Sequence, residues 1–492
     1  MATEPDASPT VRQAPAELPT LDVEAFRRQA HAIADWMADY LGGVARYPVQ
    51  PGSAPGSIRA RLPEEPPEHP EPHADILADF DRLLLPGMTH WGHPGFFGFF
   101  PANTSPPSIL AEMMTAALGA QCMSWSTSPA ATELEQVTLE WLRRMLGLPE
   151  GFTGVIQDTA SAATLVALIT ARDRQTRPGG PAPPRCIEDL TVYTSVEANS
   201  SVAKGARLAG FLPENIHLVA ADDDHRMRPD ALSHAIECDR LDGLRPAAVV
   251  ATVGTTSSAA VDPLRAIGEV CASAGAWLHV DAAFAGSAAI LPELRWILDG
   301  VEQADSFVFN PHKWLLVNFD CSAYFVRDVP ALLRSFSATA EYLKAPHPGA
   351  VPDYRDWGIP LGRRFRALKL WFVIRTYGVA GLRAMLREHI RLGKLFAAWV
   401  DDAPDFERLA PAELALVCFR HRREGEAEGS ALDERNERLV RLLNDTGRIF
   451  LTPTRLGGRY CLRLSLGHLT TSEQDIREAW SLIQAAARST GS

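Results

Sequence analysis

Short apolar runs that alternate with helical ones constrain this chain more than any other feature. Residues 190–194, 247–253 and 277–281, and the run that ends at Val308-Phe309, are strand-sized and rich in β-branched or aromatic side chains. Between them lie stretches of helical periodicity, such as residues 164–172 and 263–273. That order predicts an α/β fold, a mostly parallel sheet with helices on both faces. Residues 154–157 read as a further strand, leading through Asp158-Thr159-Ala160-Ser161 into a helix. After about residue 368 the pattern changes to long helices (370–377 and 382–400) and two short strands near 414–420 and 459–465, a small α+β domain.

Two of the apolar runs end in groups that carry chemistry. Lysine is rare here, with Lys204, Lys313, Lys344, Lys369 and Lys394 the only ones among 48 lysines and arginines. Lys313 follows the strand Val308-Phe309, where Pro311 breaks the run and where open α/β sheets bind ligands. A partly desolvated lysine has a lowered pKa and can form a Schiff base, although a lone strand-end lysine is more often a snorkelling side chain. Upstream, Trp277-Leu278-His279-Val280-Asp281 ends in an acid, which alone would read as a helix cap. Strand, carboxylate, connection, strand, lysine is the order a pyridoxal phosphate (PLP) site requires: the lysine holds the aldehyde and the carboxylate keeps the pyridine nitrogen protonated. With Lys313 present, the backbone N–H groups before the helix at Thr159-Ala160-Ser161, with the Thr159 and Ser161 hydroxyls, read as a phosphate cradle.

The motifs Asn310-Pro311-His312-Lys313-Trp314 and His279-Val280-Asp281-Ala282-Ala283 resemble those of the PLP-dependent aromatic-L-amino-acid decarboxylases, the group II decarboxylases of fold type I, which include aromatic acetaldehyde synthases. The similarity runs from about Leu21 to the C-terminus. It takes in Ser128-Pro129-Ala130-Ala131-Thr132-Glu133-Leu134-Glu135, residues 249–256, Asn318-Phe319-Asp320-Cys321-Ser322 and Ile359-Pro360-Leu361-Gly362-Arg363-Arg364-Phe365-Arg366. The resemblance implies a seven-stranded-type sheet, with Ala160, Ser161, Thr159, Asn199, Thr256, Asp281, Ala283, Asn310, His312 and Lys313 around the cofactor. It implies Phe99, Phe100, Pro101, Ala102, Gln121, Met123 and Gly362 around the substrate ring. It also implies that Tyr342, on a Pro/Gly-containing loop, protonates the substrate Cα.

Two departures from the family pattern bear on the product. Asn199 stands where the decarboxylases usually carry a histidine stacked on the cofactor, and asparagine can neither stack nor shuttle a proton at neutral pH. Family members with asparagine there include aldehyde synthases, which consume O2 and release aldehyde, ammonia and hydrogen peroxide; the retained Tyr342 argues for the amine. Phe99 and Ala102 replace a tyrosine and a hydroxyl residue of DOPA-handling relatives, which tilts the pocket toward a phenylalanine-like ring. The Asp158 carboxylate is expected to point away from a phosphate.

For the rest, composition sets limits. With 492 residues, 46% of them hydrophobic, the chain can bury more than one core. The expected division is a disordered tail over 1–20, a helical dimer-packing segment over 21–105 (with Phe26, Ala30, Ile33, Trp36, Met37 and Leu41 on one helical face), a large PLP domain over 106–368 and the small domain over 369–492. The family resemblance implies a homodimer. A net charge of -12 and a pI near 5.7, without a basic cluster, argue against nucleic acid. No apolar run reaches membrane length and no signal pattern opens the chain, so a cytoplasmic protein is expected. Seven scattered cysteines read as reduced core residues, with no metal site among them. An aminotransferase shares the lysine and aspartate and is the competing enzyme class; a PLP-fold remnant serving as an interaction surface is the competing non-enzyme class.

Overall fold

A computed structural model of the chain describes residues 20–101, 104–177, 185–337 and 351–489, so the tail expected over residues 1–20 lies, but for Thr20, outside the described residues. The chain divides into two compact units, Met1–Tyr47 with Ser53–Met88, and Pro48–Gly52 with Thr89–Ser492. The sequence pattern ends the N-terminal segment at residue 105, whereas the units part after Met88.

In the first unit the helix Val23–Gly43 starts where the Asp22 carboxylate accepts from Glu24 N and Ala25 N. Trp36 stacks on Tyr40 at 5.4 Å and donates from Nε1 to Asp81. Leu21, Val23, Phe26 and Leu41 remain exposed on this unit.

The second unit is built on a seven-stranded sheet: β1 Thr153–Gln157, β2 Leu190–Ser195, β3 Ile216–Val219, β4 Arg245–Thr252, β5 Trp277–Asp281, β6 Ser306–Phe309 and β7 Ser322–Val326, in the order β1-β7-β6-β5-β4-β2-β3. Neighbours from β6 to β3 pair in parallel; β7 runs antiparallel to both β6 and β1. Every residue of β2, β5 and β6 is buried, because helices cover both faces, and this is why these strands read as continuous apolar runs. A second sheet, in the order β10-β11-β9-β8, is antiparallel throughout: β8 Phe406–Arg408, β9 Leu416–His421, β10 Thr452–Leu456 and β11 Arg459–Ser465. The two helices read from residue 370 onward form one span, Arg366–Asp401, broken at Gly378 with φ 63° and ψ 166°.

The seven cysteines are unbridged, but Cys186 and Cys238 are exposed and so are not the core residues the sequence suggested. No described helix is long and apolar enough to cross a membrane.

Candidate active site

Strands β4 and β5 end side by side, with Thr252 paired to Asp281, and Asp281 is in register with Val308 of β6. Their carboxyl ends therefore open on one place, the position where α/β sheets receive ligands. After β6 the chain turns through Asn310 into the four-residue helix Pro311–Trp314, whose Lys313 N–H donates to the Asn310 carbonyl. Lys313 thereby enters a cavity of about 220 Å³.

Of the residues singled out from sequence, Phe100, Thr159, Ala160, Ser161, Asn199, Thr256, Asp281, Ala283, Asn310, His312 and Lys313 line this cavity together. Thr252, Phe284 and Phe319 line it too and were not foreseen. Phe99, Pro101, Gln121, Met123 and Gly362 are not among its lining residues. Phe99 is half exposed and stacks on Trp91 at 5.5 Å. Gln121 accepts from Arg363 N at 2.7 Å, a Cβ on Gly362 would lie 3.2 Å from Gln121 Nε2, and the Met123 carbonyl accepts from Arg355 N at 2.8 Å. Pairing of the 121–123 stretch with residues 355–363 thus gathers Gln121, Met123 and Gly362 into one group, outside the residues that line the Lys313 cavity. Ala102 and Tyr342 lie outside the described residues.

The electrostatics follow from burial. Desolvation lowers the Lys313 pKa and raises that of Asp281; the attraction between the two opposes both shifts, and Arg463 pushes the lysine further down. Asp281 accepts from Ala283 N at 3.0 Å. His312 is held neutral, its pKa pushed down to about 3 by burial and then by Lys313, and its Nδ1 accepts from Cys321 N. Asn310 Oδ1 accepts from the Ser322 hydroxyl at 2.6 Å. Asn199 caps the helix Ser200–Leu208, accepting from Ser201 N at Oδ1 and donating from Nδ2 to Thr256 Oγ1 at 2.9 Å. Thr159 caps the helix Ala160–Thr176 and accepts from Ala162 N. The Asp158 carboxylate accepts from Thr159 N and is not among the lining residues.

Behind the cavity Phe100, Phe284 and Trp314 form a near-parallel stack, with centroids 3.9 and 4.6 Å apart. Lys313 Nζ lies 5.3 Å, and Arg463 Cζ 5.2 Å, from the centre of the Phe100 ring. Arg463, from β11, was missed; the available signal was an arginine inside the apolar run Tyr460-Cys461-Leu462-Arg463-Leu464. Its Nε and one terminal nitrogen donate to the Ser257 carbonyl and Thr452, while the other, like Thr252 Oγ1, is buried without a hydrogen-bond partner among the described residues.

Unpartnered buried polar atoms are costly unless a ligand satisfies them. A ligand matched to the other groups of the cavity carries an anion for the Thr159–Ser161 turn, a basic ring atom for Asp281 and an electrophile for Lys313, and PLP has all three. The fold and the cavity are those of a fold-type-I PLP enzyme. A family model described as the pyridoxal-dependent decarboxylase conserved domain matches residues 55–422, and the chain belongs to that family. It is 44% identical to a phenylacetaldehyde synthase of Arabidopsis thaliana over 96% of this chain and 97% of that protein. It is equally, 44%, identical to an aromatic-L-amino-acid decarboxylase of Rattus norvegicus, over 95% and 98%. Among solved structures it superposes on an Oryza sativa TDC crystallised with PLP and tryptamine with a TM-score of 0.93, at 40% identity over 96% of this chain and 99% of that one.

Proposed function

We propose that the chain decarboxylates an aromatic L-amino acid, a phenylalanine-like ring being favoured, to the arylalkylamine and CO2. The observation that carries this is the meeting of a desolvated Lys313 amine and a buried Asp281 carboxyl in one cavity backed by stacked aromatic rings. PLP, when bound, supplies the sink for the electrons left by the departing CO2. Lys313 anchors the cofactor and takes up or returns a proton at Nζ. Asp281 holds a proton at the pyridine nitrogen. The Thr159–Ser161 turn and Thr256 hold the phosphate end, with Ala160, Ala283, Asn310 and His312 enclosing it. The unpartnered nitrogen of Arg463 suits the substrate carboxylate, and burial on the Phe100 face excludes water there. Tyr342 is the acid assigned to Cα.

Asn199 supports a second reading. Its amide is engaged at both ends, so it neither stacks on a ring nor relays a proton. Slow protonation of Cα leaves it open to oxidation: amino acid, O2 and water give the aromatic acetaldehyde, CO2, ammonia and hydrogen peroxide. A tenfold change in this partition needs only about 1.4 kcal/mol. The relatives divide the same way, between a decarboxylase and an aldehyde synthase.

The active form is proposed to be a homodimer. Helix Pro106–Leu118 buries Pro107, Ser108, Ala111 and Thr115 but exposes Leu110, Met113, Met114 and Leu118 as a continuous apolar stripe. A partner copy would cover it. Unbridged cysteines support a cytoplasmic location.

Incubating enzyme, PLP and L-phenylalanine in air, while measuring phenylethylamine, phenylacetaldehyde, O2 and peroxide together, decides the product. Amine without O2 uptake eliminates the aldehyde reading. Aldehyde with equimolar peroxide establishes it, and Asn199→His then shifts product toward amine. Transamination without CO2 release would overturn both.

A further inference from the structure

Trp314 follows Lys313 directly, yet the side chain that holds it has no part in the chemistry proposed for the cavity. Trp314 Nε1 donates to His389 Nδ1 at 3.0 Å, and His389 Nε2 lies 2.9 Å from the His468 carbonyl oxygen. A neutral imidazole that accepts at Nδ1 carries its proton at Nε2, where that carbonyl needs a donor, so both bonds call for one tautomer. Burial keeps the ring neutral: its pKa is pushed down to about 4, against the raising effects of the His468 carbonyl and Glu388. His389 stands on the helix Arg366–Asp401 and His468 follows β11, so one side chain ties the lysine-bearing turn to two other elements.

From Trp314 the contacts run inward. Its ring lies 9° from the plane of Phe284, and Phe284 lies 11° from that of Phe100, whose ring carries both Lys313 and Arg463. Buried rings packed this closely cannot tilt independently. We propose that His389 is a positioning residue for Lys313, fixing the rotation of Trp314 and, through Phe284, the face that Phe100 presents to the lysine amine. This rests on the reading of Lys313 as the cofactor lysine.

The test uses holoenzyme carrying His389→Leu, which loses both bonds; His389→Asn, whose Oδ1 can take the place of Nδ1; and Trp314→Phe, which keeps a ring but loses the donor. Read out are thermal stability, kcat and KM, the pH dependence of the bound cofactor's absorbance, and the site of borohydride labelling. Asp281 and Arg463 face Lys313 in every variant, so a movement of the midpoint reports the ring face. His389→Leu is expected to lower kcat on the order of tenfold or more with little change in KM. It should also move the absorbance midpoint down by about half to one pH unit, as the cation–π support of the amine weakens. His389→Asn should restore most of both, Trp314→Phe should reproduce the loss, and His389→Leu added to Trp314→Phe should cost nothing more. Unmoved midpoint and kcat in Trp314→Phe overturn the proposal even where His389→Leu fails to fold, as does a Leu variant whose only change is in stability. A parent enzyme labelled elsewhere than Lys313 instead overturns the reading beneath it.

Discussion

Replacing Lys313 with alanine removes the amine from a cavity whose other groups stay in place. Turnover should fall by orders of magnitude, measured as 14CO2 release, and near-parental activity would refute its role. Asp281→Asn keeps the volume and an acceptor for Ala283 N but loses the charge, and should cost on the order of a hundredfold in kcat while the cofactor still binds. Asp262 makes a different prediction. Fully buried and accepting from Met227 N and Thr252 N at 2.7 Å, it has its pKa raised to about 6 by desolvation. A carboxyl whose folded pKa exceeds its unfolded value contributes stability that is complete below about pH 4 and lost as pH rises through 6. The stability of the parent relative to Asp262→Asn should therefore fall by up to about 3 kcal/mol between pH 4 and pH 7 in urea unfolding; a pH-independent difference would sink the idea. At this scale Lys313 and Asp281 were legible because each ends a short apolar strand. Arg463 was not, because an arginine in a strand reads as a snorkelling side chain until the strand is known to bring it over the buried Phe100 ring.

Among the elements, parallel strands and the helices between them follow from local period. The breaks follow from backbone chemistry. Gly378 interrupts the span Arg366–Asp401 in a conformation open essentially to glycine, and a Cβ there would meet nothing within 4 Å, so the cost of a side chain is one of backbone alone. Gly378→Ala should lower stability by about 1–3 kcal/mol, read by thermal unfolding; a gain would show that the break relaxes into continuous helix. Thr159→Ala should remove the cap of the helix Ala160–Thr176 and cost about 1 kcal/mol, along with cofactor affinity. The short strands β3 and β8 are not legible in the sequence, since three or four residues carry too little periodicity to stand out.

For the whole molecule, the apolar stripe on Pro106–Leu118 is the face through which the proposed homodimer is expected to pair. Leu110→Glu with Met114→Glu places charge on the exposed side of a helix whose buried side is untouched, so the fold should survive. Association should weaken by at least about a hundredfold in sedimentation, with activity falling in step; an active dimer would show that another face pairs the subunits. The sequence by itself determined the alternating strands and helices, the strand-to-helix turn at Asp158-Thr159-Ala160-Ser161 and the lysine and carboxylate at two strand ends, because each depends on neighbours along the chain. Only the tertiary structure decided the strand order with antiparallel β7, the arrival of Arg463 beside Phe100, the hold of His389 on Trp314 and the pairing of residues 121–123 with 355–363. Those depend on which distant segments pack face to face, and side-chain direction at such meetings is set by the shape of the whole core, which no local period encodes.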